Sequence, residues 1–257
     1  MYTPLQPSNP SHRLYTPVAG YPAARGRPIA VLSRGELRRA VPALPVAFRR
    51  EEGGVTMVAL MGLTLDRNFF VQDGGRWLGS YVPAAFRGYP FGLASGPDGK
   101  YVVCVDENSG ALRDGPGAKA LFEDDGQPSG FLKQVINFLQ QVQADQQATR
   151  AAGAVLDRHG LLEDWPIAVT AAEQRIPLNG FLRVSETALA ALDPAVLAEV
   201  RDSGALDLAY GQIYASNNLS VLGRLAEAHA KAAEAERARL PSAEEMFAPE
   251  DISFNFD

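Results

Sequence analysis

The stretch that decides the fold runs from Met61 to Asp106 and reads MGLTLDRNFFVQDGGRWLGSYVPAAFRGYPFGLASGPDGKYVVCVD. Seven aromatic residues lie between Phe69 and Phe91, although only 9% of the whole chain is aromatic. Such a density indicates either the main core or a recognition surface. The stretch contains no arrangement of side chains that any one reaction requires, so it predicts architecture before chemistry.

Short turns within and beside this stretch predict a mostly antiparallel sheet over residues 46–106. The turns contain glycines at 53–54, 74–75 and 96–99, where a positive φ is needed. Strands joined by such short turns pair antiparallel, because parallel pairing requires a long crossover. The predicted strands are 46–48, 55–63, 68–71, 76–78, 91–93 and 101–106.

Helical periodicity dominates after Asp106. Ser129 is placed to cap an amphipathic helix to about residue 142, and a second helix is expected over 149–159, ending at Gly160. Further helices are expected up to residue 225, and Ser33 with Glu36 has the spacing of a capping box before a short helix. The fold class is therefore α+β, with a sheet from the N-terminal half covered by helices drawn mainly from 130–225.

Composition divides the chain into four segments. Prolines crowd residues 1–30 and predict an extended arm, which precedes an α+β domain over 31–225. Residues 226–240 form a polar helix that has little apolar stripe and is expected to project or pack loosely. An acidic, aromatic tail follows at 241–257.

The charge distribution argues against nucleic acid as a partner. The 257 residues carry a net charge of −6, but the first 50 hold eight arginines against one acid, Glu36. These arginines are scattered among prolines and form no basic helix stripe, so we expect them to contact the acidic body of the chain or solvent.

Cysteine and histidine content argues against metal and redox chemistry. Cys104 is the only cysteine, which excludes an internal disulfide and a Cys-based metal cluster. It lies within a predicted strand, where a lone cysteine is usually a small buried hydrophobe. The three histidines lie in no partner motif. We expect no metal, no cofactor and no catalytic residues, and the interpretation leans away from an enzyme.

No targeting segment is evident. The first residues lack a charged start followed by an apolar run, and no stretch approaches 18 uninterrupted apolar residues. The sequence predicts a cytoplasmic chain without a membrane span, and export by a route that leaves no N-terminal mark stays open.

The best candidate binding residues are Trp77, Tyr81, Arg87, Tyr89 and Asp106. An arginine among aromatic rings can stack on a ligand or hold its carboxylate, and such groups dominate binding surfaces. The alternative is an arginine that pairs with a local acid while the aromatic rings fill the sheet core. Both interpretations stay open on the sequence.

The acidic tail carries candidate docking residues: Phe247, Ile252, Phe254 and Phe256. The last three alternate with the period of a strand, and phenylalanines are unusual in a segment that stays disordered. The pattern favours strand addition, or docking into a groove, in this chain or in a neighbour.

Several short motifs together resemble one known family. They are Leu60–Leu63, Asn68–Val71, Gly75–Trp77, Tyr81–Ala84, Arg87–Phe91, Cys104–Glu107, Leu121-Phe122, Gly126–Ser129, Gly160–Leu162, Asn179–Phe181 and Gly204–Leu225. In combination they resemble the bacterial SapC family over residues 40–225. The family pattern has two arginines before Tyr-Pro-Phe, and here Gly88 stands in place of the second.

The resemblance implies a surface-layer association and genes near those of outer-membrane receptors and of cupin-type or halogenase-like proteins. It carries over no catalytic residues. Two functional hypotheses follow. One is a non-enzymatic structural or interaction protein that docks through its terminal segments in a larger assembly, by self-association or with protein partners. The other is an accessory small-molecule or peptide-binding protein, or an enzyme, that acts at the face of Trp77, Arg87 and Tyr89.

Overall fold

The computed structural model describes residues 2–64, 66–96, 100–171 and 174–239. Its strands are β1 (Tyr2–Pro4), β2 (Leu14–Tyr15), β3 (Ile29–Val31), β4 (Val46–Glu51), β5 (Gly54–Leu60), β6 (Phe91–Ser95), β7 (Tyr101–Asp106), β8 (Lys119–Ala120), β9 (Leu162–Asp164), β10 (Ile167–Ala171), β11 (Gln174–Leu178) and β12 (Leu182–Val184). Its α-helices are α1 (Leu37–Ala40), α2 (Ala84–Arg87), α3 (Gly130–Arg158), α4 (Glu186–Ala190), α5 (Pro194–Asp202), α6 (Ala205–Ala215) and α7 (Leu219–Arg237). The α+β class is confirmed, and all strand pairs of the described residues are antiparallel.

The strands of residues 46–106 belong to two sheets instead of the one expected. β4 and β5 lie in a five-stranded sheet of order β3-β5-β4-β12-β9, whereas β6 and β7 pair with β1 in a three-stranded sheet. The expected hairpin over 68–78 reduces to a single bridge between Val71 and Trp77. Phe70 and Phe86 of the segment between β5 and β6 are 1% and 4% exposed, so their side chains belong to the core. Because the segment folds inward to bury these rings, it does not continue as an extended hairpin.

Helix α3 replaces the two helices expected between residues 130 and 159. Its 29 residues rise about 43 Å at 1.5 Å each, so the helix spans both sheets. Leu132 in its first half packs in the small core with Phe91, whereas Ala152 and Leu156 pack in the main core. The polar stretch between these apolar stripes is helical as well, since it contains no glycine or proline to break it.

Side chains in the polar middle of α3 accept hydrogen bonds from backbone N–H groups of a turn that is distant in the sequence. The Asp145 carboxylate accepts from the Gly35 N–H at 2.9 Å, and Thr149 Oγ1 accepts from the Arg34 N–H at 2.8 Å. These two amides open the short helical segment that Ser33 and Glu36 cap, so α3 satisfies donors that the first helical turn leaves free.

A glycine allows α3 to lie directly on the larger sheet. A Cβ atom at Gly153 would meet the Val55 carbonyl oxygen at 3.1 Å. The absence of a side chain there brings the helix backbone against β5, so Ala152 and Leu156 beside it are 1% and 0% exposed.

A side chain of α6 bridges β4 and β12, which pair only at Leu182 and Phe48. Gln212 is 1% exposed; its Oε1 accepts from the Val184 N–H at 2.9 Å, and its Nε2 donates to the Val46 carbonyl at 3.5 Å. The amide thus replaces the ladder hydrogen bonds that the two diverging strands do not make.

The N-terminal arm lies against the body of the protein. β1 extends the small sheet beside β7, and β2 pairs with β8. Between them, His12 is 2% exposed, and its Nδ1 accepts from the Gln6 N–H at 3.2 Å while its Nε2 lies 3.0 Å from Glu107 Oε1. These bonds fix the course of the arm before it reaches β3.

Helix α7 packs more closely than its composition suggests. His229 is 9% exposed; its Nε2 donates to the Phe69 carbonyl at 2.9 Å, and its Nδ1 accepts from Arg67 at 3.0 Å. This polar contact adds to the apolar packing of Leu222, Leu225 and Ala226 in the first half of the helix. The tail with Phe247, Ile252, Phe254 and Phe256 lies outside the described residues.

Replacing Gln212 with leucine tests the bridge between β4 and β12. Gln212→Leu leaves the Val184 N–H and the Val46 carbonyl buried without partners, so we expect the free energy of unfolding to fall by about 2–4 kcal/mol. Denaturant titration gives the value. The matched control is Gln141→Leu on the exposed face of α3, where a change within about 0.5 kcal/mol is expected. Equal effects of the two substitutions would contradict the bridging role.

Candidate functional site

A buried carboxylate holds together the elements that form the site. Glu36 is 6% exposed and accepts four hydrogen bonds. Its Oε2 accepts from the backbone N–H and the hydroxyl of Ser33, each at 3.0 Å. Its Oε1 accepts from the Tyr81 hydroxyl and the Ala84 N–H, each at 2.7 Å. The first pair completes the predicted capping box, and the second ties the start of α2 to it.

Tyr81 links this carboxylate to Arg87. Burial and the hydrogen bond to Glu36 raise the pKa of Tyr81 to about 12, so the phenol stays neutral. Its oxygen accepts from an Arg87 terminal nitrogen at 3.3 Å, while Arg87 Nε donates to the Val82 carbonyl at 3.1 Å. The guanidinium also lies over the rings of Tyr81 and Phe138, at 5.8 and 5.3 Å from their centroids. Arg87 is therefore held in one orientation by contacts on two sides.

Arg87 opens onto a cleft of about 510 Å³ between the N-terminal arm and the segment after α2. Its lining comprises Tyr15, Val18, residues 20–24, Arg27, Phe86, Arg87, Tyr89, Pro90, Asn108 and Ser109. Four of these side chains are aromatic rings and two are guanidinium groups. A concave surface that combines aromatic rings with a few placed polar groups is the usual form of a ligand site.

The two arginines of the cleft have no carboxylate partner in the part of the chain that the structure describes. Arg25 nearby pairs with Asp73, and Arg50 forms a two-bonded pair with Asp157 at 2.7 Å. Arg27 and Arg87 make no such pair, and both are exposed. The cleft therefore presents positive charge that the described residues leave uncompensated.

Tyr89 and Asp106 meet at the edge of this cleft. The Tyr89 hydroxyl donates to Asp106 Oδ2 at 3.1 Å. Burial and then this hydrogen bond raise the pKa of Tyr89, while the nearby charge of Arg27 lowers it. Tyr89 is therefore a neutral phenol that lines the cleft. Asp106, which does not line the cleft, orients the Tyr89 ring through this hydrogen bond.

Trp77 lies behind the cleft wall. Its ring is 5.6 Å from Phe70 in a stacked arrangement and 5.9 Å from both Tyr21 and Phe86. Tyr21 and Phe86 line the cleft, so Trp77 supports two of its rings from inside. The Trp77 Nε1 atom is buried and has no hydrogen-bond partner among the described residues.

The structure thus separates the five residues proposed from the sequence. Arg87 and Tyr89 line the cleft, Asp106 bonds to Tyr89, and Tyr81 and Trp77 belong to the packing beneath. Sequence reasoning missed Arg27, Tyr15 and Tyr21, which come from the arm. Nothing in their local sequence marks them, because proline spacing gives no indication of which body residues an arm will approach.

Gly88 lies close against α3. A Cβ atom at Gly88 would meet Leu139 Cδ2 at 3.1 Å and Phe138 Cε1 at 3.5 Å. A longer side chain at this position would press on α3. The second guanidinium of the cleft belongs to Arg27 of the arm.

The comparison with protein families gives a match over most of the chain. The SapC family model matches residues 11–222. The chain belongs to the SapC family. The matched range contains Glu36, Arg87 and every residue that lines the cleft. No curated protein and no solved structure matches the chain.

Within residues 2–64, 66–96, 100–171 and 174–239, no group of three or more histidine, cysteine or acidic side chains is placed to hold a metal ion. No helix of that part of the SapC chain is long and apolar enough to cross a bilayer. Cys104 is buried, as expected, and burial raises the pKa of its thiol.

Substitution of Glu36 tests the buried carboxylate. Each of its oxygens accepts one backbone N–H, so in Glu36→Gln one of those N–H groups must face an amide NH₂. We expect the free energy of unfolding to fall by about 2–4 kcal/mol in denaturant titrations. Glu52→Gln, at an exposed turn, serves as the control and should change it by less than about 0.5 kcal/mol. A stable Glu36→Gln protein would show that the four contacts do not hold α2.

The raised pKa of Tyr81 predicts a dependence of stability on alkaline pH. The folded state binds the phenol proton more tightly than the unfolded state, whose tyrosines titrate near pH 10. The contribution of the Tyr81 proton to the free energy of unfolding is thus complete below about pH 10 and is lost as the pH rises through about 12. Unfolding free energies measured across this range should fall more steeply for the native chain than for Tyr81→Phe. Parallel profiles would contradict the assignment.

Proposed function

We propose that this SapC protein is a non-catalytic binding protein whose cleft takes a carboxylate-bearing ligand with an apolar or aromatic body. One observation carries the proposal: two exposed guanidinium groups without a carboxylate partner in the described chain line one cleft with four aromatic rings. Guanidinium groups bind carboxylates through paired, charge-assisted hydrogen bonds, and flat rings take up an apolar body.

The two arginines have different roles in this proposal. Hydrogen bonds to the Val82 carbonyl and the Tyr81 hydroxyl hold the Arg87 guanidinium in place, so its charge is oriented before a ligand binds. Arg27 makes no side-chain hydrogen bond within the described residues and is free to close on a ligand from the arm. A preoriented charge and a second charge that makes no hydrogen bond within the described residues favour capture of a small anion in the cleft.

The lining also favours binding over turnover. Among the described residues, those that line the cleft include no carboxylate, imidazole or thiol. Such groups usually serve as general base or nucleophile, whereas burial raises the pKa of the phenols of Tyr15 and Tyr89. The volume of about 510 Å³ suits a small molecule or one end of a peptide.

The second candidate function is that of an interaction protein that assembles through its terminal segments, which the resemblance connects with a surface layer. The strands of the arm pair within the chain, so such an assembly would depend mainly on the tail at 241–257. The surface-layer association stays a prediction.

Binding of defined acids tests the proposed function. The probes are a set of aromatic and branched aliphatic carboxylates, each compared with its uncharged amide by calorimetry or by NMR shifts of the cleft tyrosines. We expect at least one acid to bind about tenfold or more tightly than its amide, because only the acid pairs with the arginines. Arg27→Gln should remove most of that preference.

The matched control is Arg25→Gln, two residues earlier in the arm, where the arginine pairs with Asp73 and does not line the cleft. It should leave the affinity unchanged. If no acid is preferred over its amide, or if both substitutions weaken binding equally, the cleft is not a carboxylate site.

A further inference from the structure

The larger sheet has an open edge at β3. Within the part of the chain that the structure describes, this strand is the outermost in the order β3-β5-β4-β12-β9 and pairs only with β5. Proteins usually cover or block such an edge, because its unpaired backbone groups can accept another strand.

The register shows which backbone groups face outward. Met61 N–H donates to the Pro28 carbonyl at 2.7 Å, and Leu32 N–H donates to the Met57 carbonyl at 3.0 Å. Bonded pairs alternate along an antiparallel ladder, so Ala30 faces β5 while Ile29 and Val31 face away from it. Consistent with this, Leu60 opposite Ile29 donates its N–H to Pro45 on the other side. Ile29 and Val31 thus present two N–H donors and two carbonyl acceptors.

No residue in the described ranges satisfies these four groups, since neither the backbone nor any side chain there hydrogen-bonds to Ile29 or Val31. Both residues are half-buried. The free edge of β3 is therefore partly shielded from solvent, which favours pairing with another strand.

A groove runs beside this edge. It has a volume of about 480 Å³ and is lined by residues 26–31, Arg49, Ala85, Phe86 and Gln146. Ala85 and Phe86 of α2 give it one apolar wall, and Arg27 and Arg49 make it basic. Neither arginine pairs with a carboxylate of the described chain. An extended segment with alternating apolar side chains and negative charge would match all of these features.

We propose that residues 250–257 of this chain's own C-terminal tail add to β3 as a strand. Ile252, Phe254 and Phe256 alternate with the strand period, so all three would face one side and could enter the groove against Ala85 and Phe86. Residues 241–257 contain five acids and no lysine or arginine, which complements the exposed Arg49 of the groove.

The chain is long enough for this contact within one molecule. His229 of α7 bonds to the Phe69 carbonyl, Phe69 N–H bonds to Met61, and Met61 N–H bonds to Pro28, which directly precedes β3. From His229 the helix continues for eight residues to Arg237, about 12 Å. The 13 residues from there to Glu250 can span about 40 Å when extended, so the tail can return to the edge.

Amide hydrogen exchange in the full chain tests the proposal residue by residue. If the tail occupies the edge, the outward amides of Ile29 and Val31 exchange at rates close to that of Ala30, which bonds to β5 in either case. If the edge is open, Ile29 and Val31 exchange about tenfold or more faster than Ala30, and the proposal is wrong.

A pair of tail variants identifies the occupant. Phe254→Ser should release the Ile29 and Val31 amides by about tenfold or more and leave Ala30 protected, because it removes the central ring of the alternating run. Phe247→Ser removes a phenylalanine of the same tail outside that run and should change none of the three rates. The native chain should sediment as a monomer. Protection that survives Phe254→Ser, or that depends on a dimer, would assign the edge to another occupant.

Discussion

The buried carboxylate of Glu36 is the contact on which the arrangement of the rest depends. Four donors from three segments meet at its two oxygens, and two of them are backbone amides that cannot turn elsewhere. A buried charge is tolerated only when it is fully hydrogen-bonded, so the turn at Ser33, the ring of Tyr81 and the start of α2 are fixed together. Because Arg87 lies at the end of α2 and contacts Tyr81, the geometry of the cleft follows from the same carboxylate.

Helix α3 joins two cores that would otherwise be separate. Its first half covers the small sheet and its second half covers the larger one, while Asp145 and Thr149 between them bind the turn that Glu36 caps. The N-terminal arm also joins the two sheets, from the small sheet at β1 to the larger sheet at β3. The cleft lies where arm and body meet, which is why its lining comes from distant parts of this SapC chain. Its positive charge has the same origin, since one guanidinium comes from each side.

Features set by neighbours in the sequence could be predicted from it. The capping box of Ser33 and Glu36, the cap at Ser129, the proline that opens α5 and the left-handed Gly160 are all present. Each depends on hydrogen bonds or dihedral angles within about four residues, where residue type alone carries the information. Arg87 and Tyr89 were found for a related reason, because an arginine among clustered rings is visible locally. The family and the α+β class followed from such local patterns taken in order.

The sequence by itself thus determined the class of fold, the helix caps, several of the turns and the two cleft residues that stand beside aromatic neighbours. Only the tertiary structure decided that residues 46–106 divide between two sheets, that α3 continues through its polar middle, and that Arg27 and Arg87 line one cleft. It also gave the carboxylate of Glu36 its partners Tyr81 and Ala84, which lie 45 and 48 residues away. Contacts at such separations are selected by the packing of whole surfaces, and no short pattern of residues encodes them.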